Sequence, residues 1–380
     1  MQEISHTLRV LPIHVIHSRG DKEESVNSGE ELESLINTLG GEIVDRVIQR
    51  FDKISQMAFL GKGKTESIAE VVEKKEIDVV VINALLKPGQ IHALKLAFEK
   101  ANPKIEVWDR VDLILHIFEK HAKTAEANLQ IELARMRYMG PRIYGMGHVL
   151  SRQGGGIGTV GIGETNTELM RRHWRNEIKK VEDELAKISK NRENQLEQRK
   201  KAGFKTVSIV GYTNAGKSSL FNILTNKKNY VKNELFATLD SSIGKIYIPE
   251  LGSEVLITDT IGFIRDLPPT LVKAFKSTLM ESIHADLLLH VVDASDHEVS
   301  KKITVVDDIL HELNLKQEKI IYVFNKCDAI SEEKIEELKE RFHAFNPIFI
   351  SVKKEEGIES VLERIKNKLA STEASTFIAH

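Results

Sequence analysis

The chain has 380 residues, 41% of them hydrophobic and 29% charged, with a formal net charge of −2. That is enough apolar mass for two or three domains with their own cores, and no apolar run approaches the ~20 residues that span a bilayer, so membrane insertion is not expected. The single cysteine, Cys327, excludes an internal disulfide and suits a reducing compartment, and Met1-Gln-Glu-Ile-Ser-His lacks the basic and apolar regions of a secretory signal. The cytoplasm is the expected location.

Residues 1–118 alternate strand-like and helix-like segments. Strands are expected at Leu8–Ile16, within Ile43–Phe51, at Ile77–Ile82 and at Lys104–Trp108, with helices at Gly29–Leu39, Thr65–Lys75 and Pro88–Lys100. Such alternation predicts an N-terminal α/β domain with a largely parallel sheet. Gly61-Lys62-Gly63-Lys64 has no phosphate-binding spacing and reads as the turn before a helix.

Residues 119–203 differ in charge. Between 121 and 205 there are 17 Lys/Arg against 10 Asp/Glu, a basic middle in an otherwise acidic chain. A solvated helical face explains this, and so does contact with a polyanion. Val111–Met139 is periodic as a helix, with Leu129, Leu133 and Met136 on one face, and Gly140-Pro141 is expected to stop it. Nine of the 24 residues from 140 to 163 are glycine. That predicts a loop that cannot build a core; His148, Ser151, Arg152 and Gln153 within it can contact phosphate, ribose or base edges, and such a segment can order on a partner. Beyond it, Leu169, Trp174, Ile178, Val181, Leu185, Ile188 and Leu196 mark a long amphipathic helix carrying Arg171 and Arg172. Paired with the 111–139 helix, it makes an antiparallel hairpin.

The third domain, 204–370, contains the most informative stretch, Gly211-Tyr212-Thr213-Asn214-Ala215-Gly216-Lys217-Ser218-Ser219. It matches G-x-x-x-x-G-K-[ST], preceded by the β-branched run Thr206–Val210 and followed by a helical run from Ser219 to Leu224. A strand–loop–helix of this kind converges backbone N–H groups and a helix dipole on a phosphate chain. Lys217 reaches the β- and γ-phosphates and Ser218 binds Mg²⁺. Val255–Asp259 reads as a strand ending in a carboxylate, then Thr260-Ile261-Gly262. Asp259 holds Mg²⁺ through water and the Gly262 N–H senses the γ-phosphate. Phe236 and Thr238 lie between loop and strand, with Thr238 placed to meet γ-phosphate and Mg²⁺ and to lose them on hydrolysis. Lys319–Phe324 leads into Asn325-Lys326-Cys327-Asp328. The Asp328 carboxylate accepts from both N1–H and the 2-amino group of guanine, Asn325 braces the loop, the Lys326 stem lies along the purine, and the backbone of Ser351, Val352 and Lys353 reaches guanine O6. In this order the three motifs specify a GTPase with Lys217, Thr238 and Gly262 as its catalytic groups. Residues 371–380 form a short tail.

The domain from 204 resembles the translation-factor class of GTPases, and residues 5–370 resemble the HflX family. The second resemblance rests on Asp109-Arg110, Leu129-Gln-Ile-Glu-Leu-Ala134, His148-Val-Leu-Ser-Arg-Gln-Gly-Gly-Gly-Ile-Gly158, Gly163-Glu-Thr165 and Arg171-Arg172. Gly154 departs from it, standing where the family often has arginine. The resemblance implies a Ras-like P-loop domain behind the α/β domain and hairpin, and a GTPase that binds the large ribosomal subunit and splits or rescues stalled ribosomes. It further implies that the N-terminal domain and the Gly-rich segment approach rRNA near the peptidyl transferase region. No DNA partner is expected, and a monomer is. Two other readings are an RNA-remodelling NTPase acting on rRNA, although residues 1–203 hold no second phosphate loop, and a GTP-dependent regulator of a protein partner.

Phe263 follows Gly262, where Ras-like enzymes place the glutamine that orients the attacking water. A phenyl ring cannot do this, so intrinsic hydrolysis is expected to be slow. A ribosomal component can supply the missing group, or a monovalent cation can sit where an arginine finger would. Asn214 resembles the asparagine that holds K⁺ in several cation-dependent GTPases, and it also fits an ordinary hydrogen bond bracing the loop.

Overall fold

A computed structural model describes residues 7–17, 22–51, 59–153, 160–227, 235–236, 242–265, 271 and 279–378. The chain divides into two units, Met1–Lys120 with Asn128–Glu184, and His121–Ala127 with Leu185–His380.

The first unit is built on a parallel sheet of β1 (Arg9–His17), β2 (Glu42–Ile43), β3 (Val47–Phe51), β4 (Val79–Ile82) and β5 (Glu106–Asp109), with β1 between β4 on one side and both β2 and β3 on the other. Helices α1 (Lys22–Leu39), α2 (Lys62–Lys74) and α3 (Pro88–Phe98) connect the strands, and α4 (Arg110–His121) follows the last of them. Every residue of β4 is buried, as expected of a parallel strand covered on both faces. The segment Ile43–Phe51 is two strands rather than one. β2 pairs with Arg9 and Val10, β3 pairs from Ile13 onward, and Pro12, which has no N–H to give, falls opposite the break. Phe59, Ile68, Val72, Ile82, Leu94 and Phe98 fill one face of the sheet.

Two expectations for the helices are corrected. The periodic run from Val111 is two helices, since α4 ends at His121 and α5 covers Ala125–Gln153, where the Ala127 N–H donates to the Thr124 hydroxyl at 3.1 Å. Nor does Gly140-Pro141 stop α5. Pro141 removes one helical hydrogen bond, but a tryptophan from α6 (Val160–Lys201) packs across this turn: Trp174 Nε1 donates to the Met136 carbonyl at 2.9 Å, and a Cβ at Gly140 would stand 2.8 Å from that nitrogen. Gly140 is a notch for the indole, not a helix terminator. The expected Gly-rich loop is therefore helical through Gln153 and again from Val160, and residues 154–159 lie outside the described residues. Arg137 pairs with Glu182 at 2.7 Å farther along the same two helices.

The second unit holds a six-stranded sheet in the order β11-β10-β9-β6-β8-β7. Its strands are β6 (Lys205–Gly211), β7 (Ser242–Ile248), β8 (Ser253–Asp259), β9 (Leu287–Asp293), β10 (Ile320–Asn325) and β11 (Ile348–Phe349), and only β7 runs antiparallel to its neighbour. Helix α7 (Lys217–Thr225) and the helices Val299–Glu312, Glu332–Arg341 and Ile358–Ile378 accompany it. Val207, Ile209, Leu220, Phe221, Ile257, Leu289 and Val323 form the core beneath the phosphate loop. The buried Glu281 carboxylate sits 3.7 Å from Arg192 and 3.4 Å from Arg199, both on the last turns of α6.

Candidate nucleotide-binding site

The loop 211–217 lies where β6 ends and α7 begins, at the carboxyl edge of the parallel strands. Two glycines permit its path. Gly211 has φ +148° and a Cβ there would lie 2.3 Å from the Val291 carbonyl oxygen; Gly216 has φ +96° and a Cβ there would lie 2.2 Å from Asn325 Nδ2. Lys217 opens α7 and is buried, its amine donating to the Tyr212 carbonyl at 2.7 Å. Burial lowers its pKa to about 8, against the opposing charge of Asp259. Tyr212, Thr213 and Ala215 are buried, Ser218 and Ser219 are half-buried in the first turn of α7, and Asn214 is exposed at the tip with φ +61°.

Asp259 closes β8 and is buried. A serine hydroxyl and a carboxylate are hard oxygen donors that suit Mg²⁺, so Ser218 and Asp259 would hold it; Thr238, expected to join them, lies outside the described residues. Phe236 is buried with φ +57°. At Gly262 a Cβ would come within 2.9 Å of the Lys217 amine and 2.8 Å of Thr213 Cγ2, so only glycine brings this backbone so near the loop. Phe263 is 3% exposed, and its backbone is tied to the loop: the Thr213 N–H donates to its carbonyl at 2.7 Å and its own N–H donates to the Gly211 carbonyl at 3.1 Å. The Arg265 N–H donates to the Tyr212 hydroxyl at 2.8 Å, its guanidinium pairs with Glu298 at 2.9 Å, and the Lys302 amine lies 4.9 Å from the Tyr212 ring centroid. The sequence carries no signal for this clamp, because Tyr212, Arg265 and Glu298 are scattered over three elements.

On the base side, Asn325 is buried and spans two loops, donating to the Ala215 carbonyl at 2.9 Å and accepting the Val352 N–H at 3.0 Å. The Ser351 hydroxyl donates to Asp328 at 2.7 Å and holds that carboxyl below the usual range. Lys326, at φ +67°, extends to Asp293 at 2.6 Å. Lys353 is exposed beside Val352. Asp293 was not among the expected site residues, although it ends β9 as Asp259 ends β8. The structure thus brings the loop, Asp259, Gly262, Asn325, Asp328 and Ser351 to one edge of the sheet. Arg171 and Arg172 belong to the first unit and are exposed on α6; the backbone of His148, Ser151, Arg152 and Gln153 belongs to α5, and their side chains lie outside the described residues.

Comparison with known proteins follows the same division. Family models described as GTP-binding GTPase N-terminal, GTP-binding GTPase Middle Region and 50S ribosome-binding GTPase match residues 26–119, 121–199 and 206–326. The GTPase HflX of Caldanaerobacter subterraneus is 42% identical over 379 residues, covering 100% of this chain and 85% of the relative. The chain belongs to the HflX family. GTPase HflX of Escherichia coli is 36% identical over 94% of this chain and 82% of its own length, and that of Methanocaldococcus jannaschii 37% over 91% and 84%. Among solved structures, SsGBP in complex with GDP superposes with a TM-score of 0.51 at 26% identity, covering 98% of this chain and 99% of that one. As an HflX-family member the chain binds guanine nucleotides and hydrolyses GTP.

Proposed function

We propose that the protein is a GTP-driven switch that acts on the large ribosomal subunit to split or rescue stalled ribosomes, and that the ribosome accelerates its hydrolysis. Phe263 carries this reading. It occupies the position next to Gly262 where a polar side chain would orient water, yet it is an apolar ring, buried and with its backbone tied to the phosphate loop. The chain's own contribution is then binding and charge neutralisation: Lys217 and the N–H groups of the loop on the phosphates, Asn325 and Asp328 on the base. Ser218 and Asp259, with Thr238, would hold Mg²⁺, which would supply charge neutralisation on the phosphates. What the chain lacks comes from outside it: a group of rRNA or of a ribosomal protein that orients water, or a K⁺ ion at Asn214 that takes the place of an arginine finger. The description of the matched 206–326 model and the family membership support a large-subunit partner, and His148, Ser151, Arg152, Gln153, Arg171 and Arg172 are the residues proposed to meet rRNA.

The test is GTP hydrolysis with and without purified large subunits, for the intact chain and one lacking residues 145–163. Stimulation that the deletion abolishes supports the switch. An unchanged slow rate in both overturns it and points to a protein partner. Replacing Na⁺ by K⁺ separates the cation from the ribosome: a rate that does not change removes K⁺ from the site.

A further inference from the structure

In the first unit, α5 and α6 leave between them an open cleft of about 380 Å³ that the nucleotide site does not use. Met136 and Ile178 give it apolar walls, Trp174 an aromatic one, and Arg137, Arg171 and Arg175 three guanidinium groups. Arg137 is paired with Glu182, but Arg175 makes no ion pair among the described residues, and from 168 to 180 α6 carries five Lys/Arg against Glu168 and Glu177, the latter paired with Lys180 at 2.6 Å.

Trp174 is held in one orientation. Its only polar atom is spent on the Met136 carbonyl, and Gly140 supplies the space that lets the indole lie against α5. What the ring offers the cleft is therefore its π surface. Aromatic surface, apolar walls and planar guanidinium groups together match one ligand chemistry, a nucleobase joined to a phosphate: bases stack on aromatic rings, and arginine grips phosphate through paired N–H donors. The volume falls in the range of small-ligand clefts, about 300–1,000 Å³. A base inside a duplex has no free face to stack, and an acidic peptide would use the arginines but leave the indole and apolar walls without a partner.

We infer that this cleft binds one unstacked nucleotide of single-stranded RNA, with the base against Trp174 and the phosphate at Arg171 and Arg175. The inference deepens the proposed ribosomal role and rests on it for the choice of RNA as the source of the nucleotide.

The experiment uses the full chain with Trp108→Phe, which leaves Trp174 as the sole tryptophan of the two. Titration with a twelve-residue oligouridylate is expected to quench Trp174 fluorescence to saturation, and Arg175→Gln, at an exposed position, is expected to weaken binding at least tenfold while leaving ribosome-free GTP hydrolysis unchanged. Absence of quenching, or equal affinity in Arg175→Gln, overturns the inference. So does equal quenching by free UMP at the same nucleotide concentration, which would mark a small-nucleotide site, or by polyglutamate, which would mark an acidic-peptide site. The two proposals fail separately. If large subunits stimulate hydrolysis but oligouridylate does not quench, the cleft is wrong and the switch stands; if oligouridylate quenches and large subunits do nothing, the cleft stands and the switch falls.

Discussion

The side-chain nitrogen of Asn325 stands 2.2 Å from where a Cβ on Gly216 would be, so the base-side brace and the phosphate loop are fitted to each other. Through the same nitrogen Asn325 holds the Ala215 carbonyl, and through its oxygen the Val352 N–H. Asn325→Ala leaves both backbone groups buried without these partners, at a cost of about 1–3 kcal/mol for each. The expected outcome is a lower melting temperature without nucleotide and weaker GDP binding together, read by thermal denaturation and calorimetry. Gly216→Ala is expected to be as severe, because the new methyl must displace backbone-anchored Asn325 from a φ that alanine also disfavours.

Lys217 gives the nucleotide affinity a sign in pH. In the nucleotide-free chain burial lowers its amine to about 8, so at pH 7 it meets the phosphates already charged, and above pH 8 binding must take up a proton. GDP affinity is expected to be flat below pH 8 and about tenfold weaker at pH 9 than at pH 7. Lys217→Met should bind weakly and lose the step. The stability of the nucleotide-free chain moves the other way: between about 8 and the ordinary 10.5 the unfolded lysine holds a proton that the folded one has lost, so this residue makes stability rise with pH in that window.

Ser351 is expected to act through Asp328. Its hydroxyl is the largest cause of that carboxyl's lowered pKa and points it along one direction. Ser351→Ala should weaken GDP by about tenfold, the worth of a hydrogen bond to a charged group, and should weaken ADP, which offers no matching donors, far less. Calorimetric titration of both nucleotides checks the split.

Gly140→Ala sets two effects against each other. Alanine gains about 1 kcal/mol of helix propensity over glycine, but its Cβ meets Trp174 Nε1 at 2.8 Å, on a ring anchored by its bond to Met136. Overpacking of this kind costs about 1–3 kcal/mol, so a net loss of stability is expected, with a changed Trp174 emission. A stabilised variant with unchanged emission would show that the indole does not pack on this turn.

Much of the fold was legible along the chain. The all-apolar run at Val79–Ile82, the strand before Gly211 and the strand before Asn325 are local patterns, and each lies within a parallel strand of the structure. The hairpin was harder to read. Glycine and proline at 140 and 141 carry a strong local stop signal, yet the helix continues because Trp174, 34 positions away, packs on that turn. For the same reason the Tyr212–Arg265–Glu298 clamp has no trace in any motif: its members are joined only once β6, the turn after β8 and the start of the Val299–Glu312 helix are brought to one edge.

By itself, then, the sequence determined that the chain binds and hydrolyses GTP, since the phosphate-loop and Asn325–Asp328 motifs are short runs readable without any distant contact. Tertiary structure alone decided that α5 continues past Gly140, how Phe263 is pinned against the phosphate loop, and that three arginines and a tryptophan face one cleft. These depend on side chains far apart in sequence, whose packing free energy outweighs the local preference of any one of them.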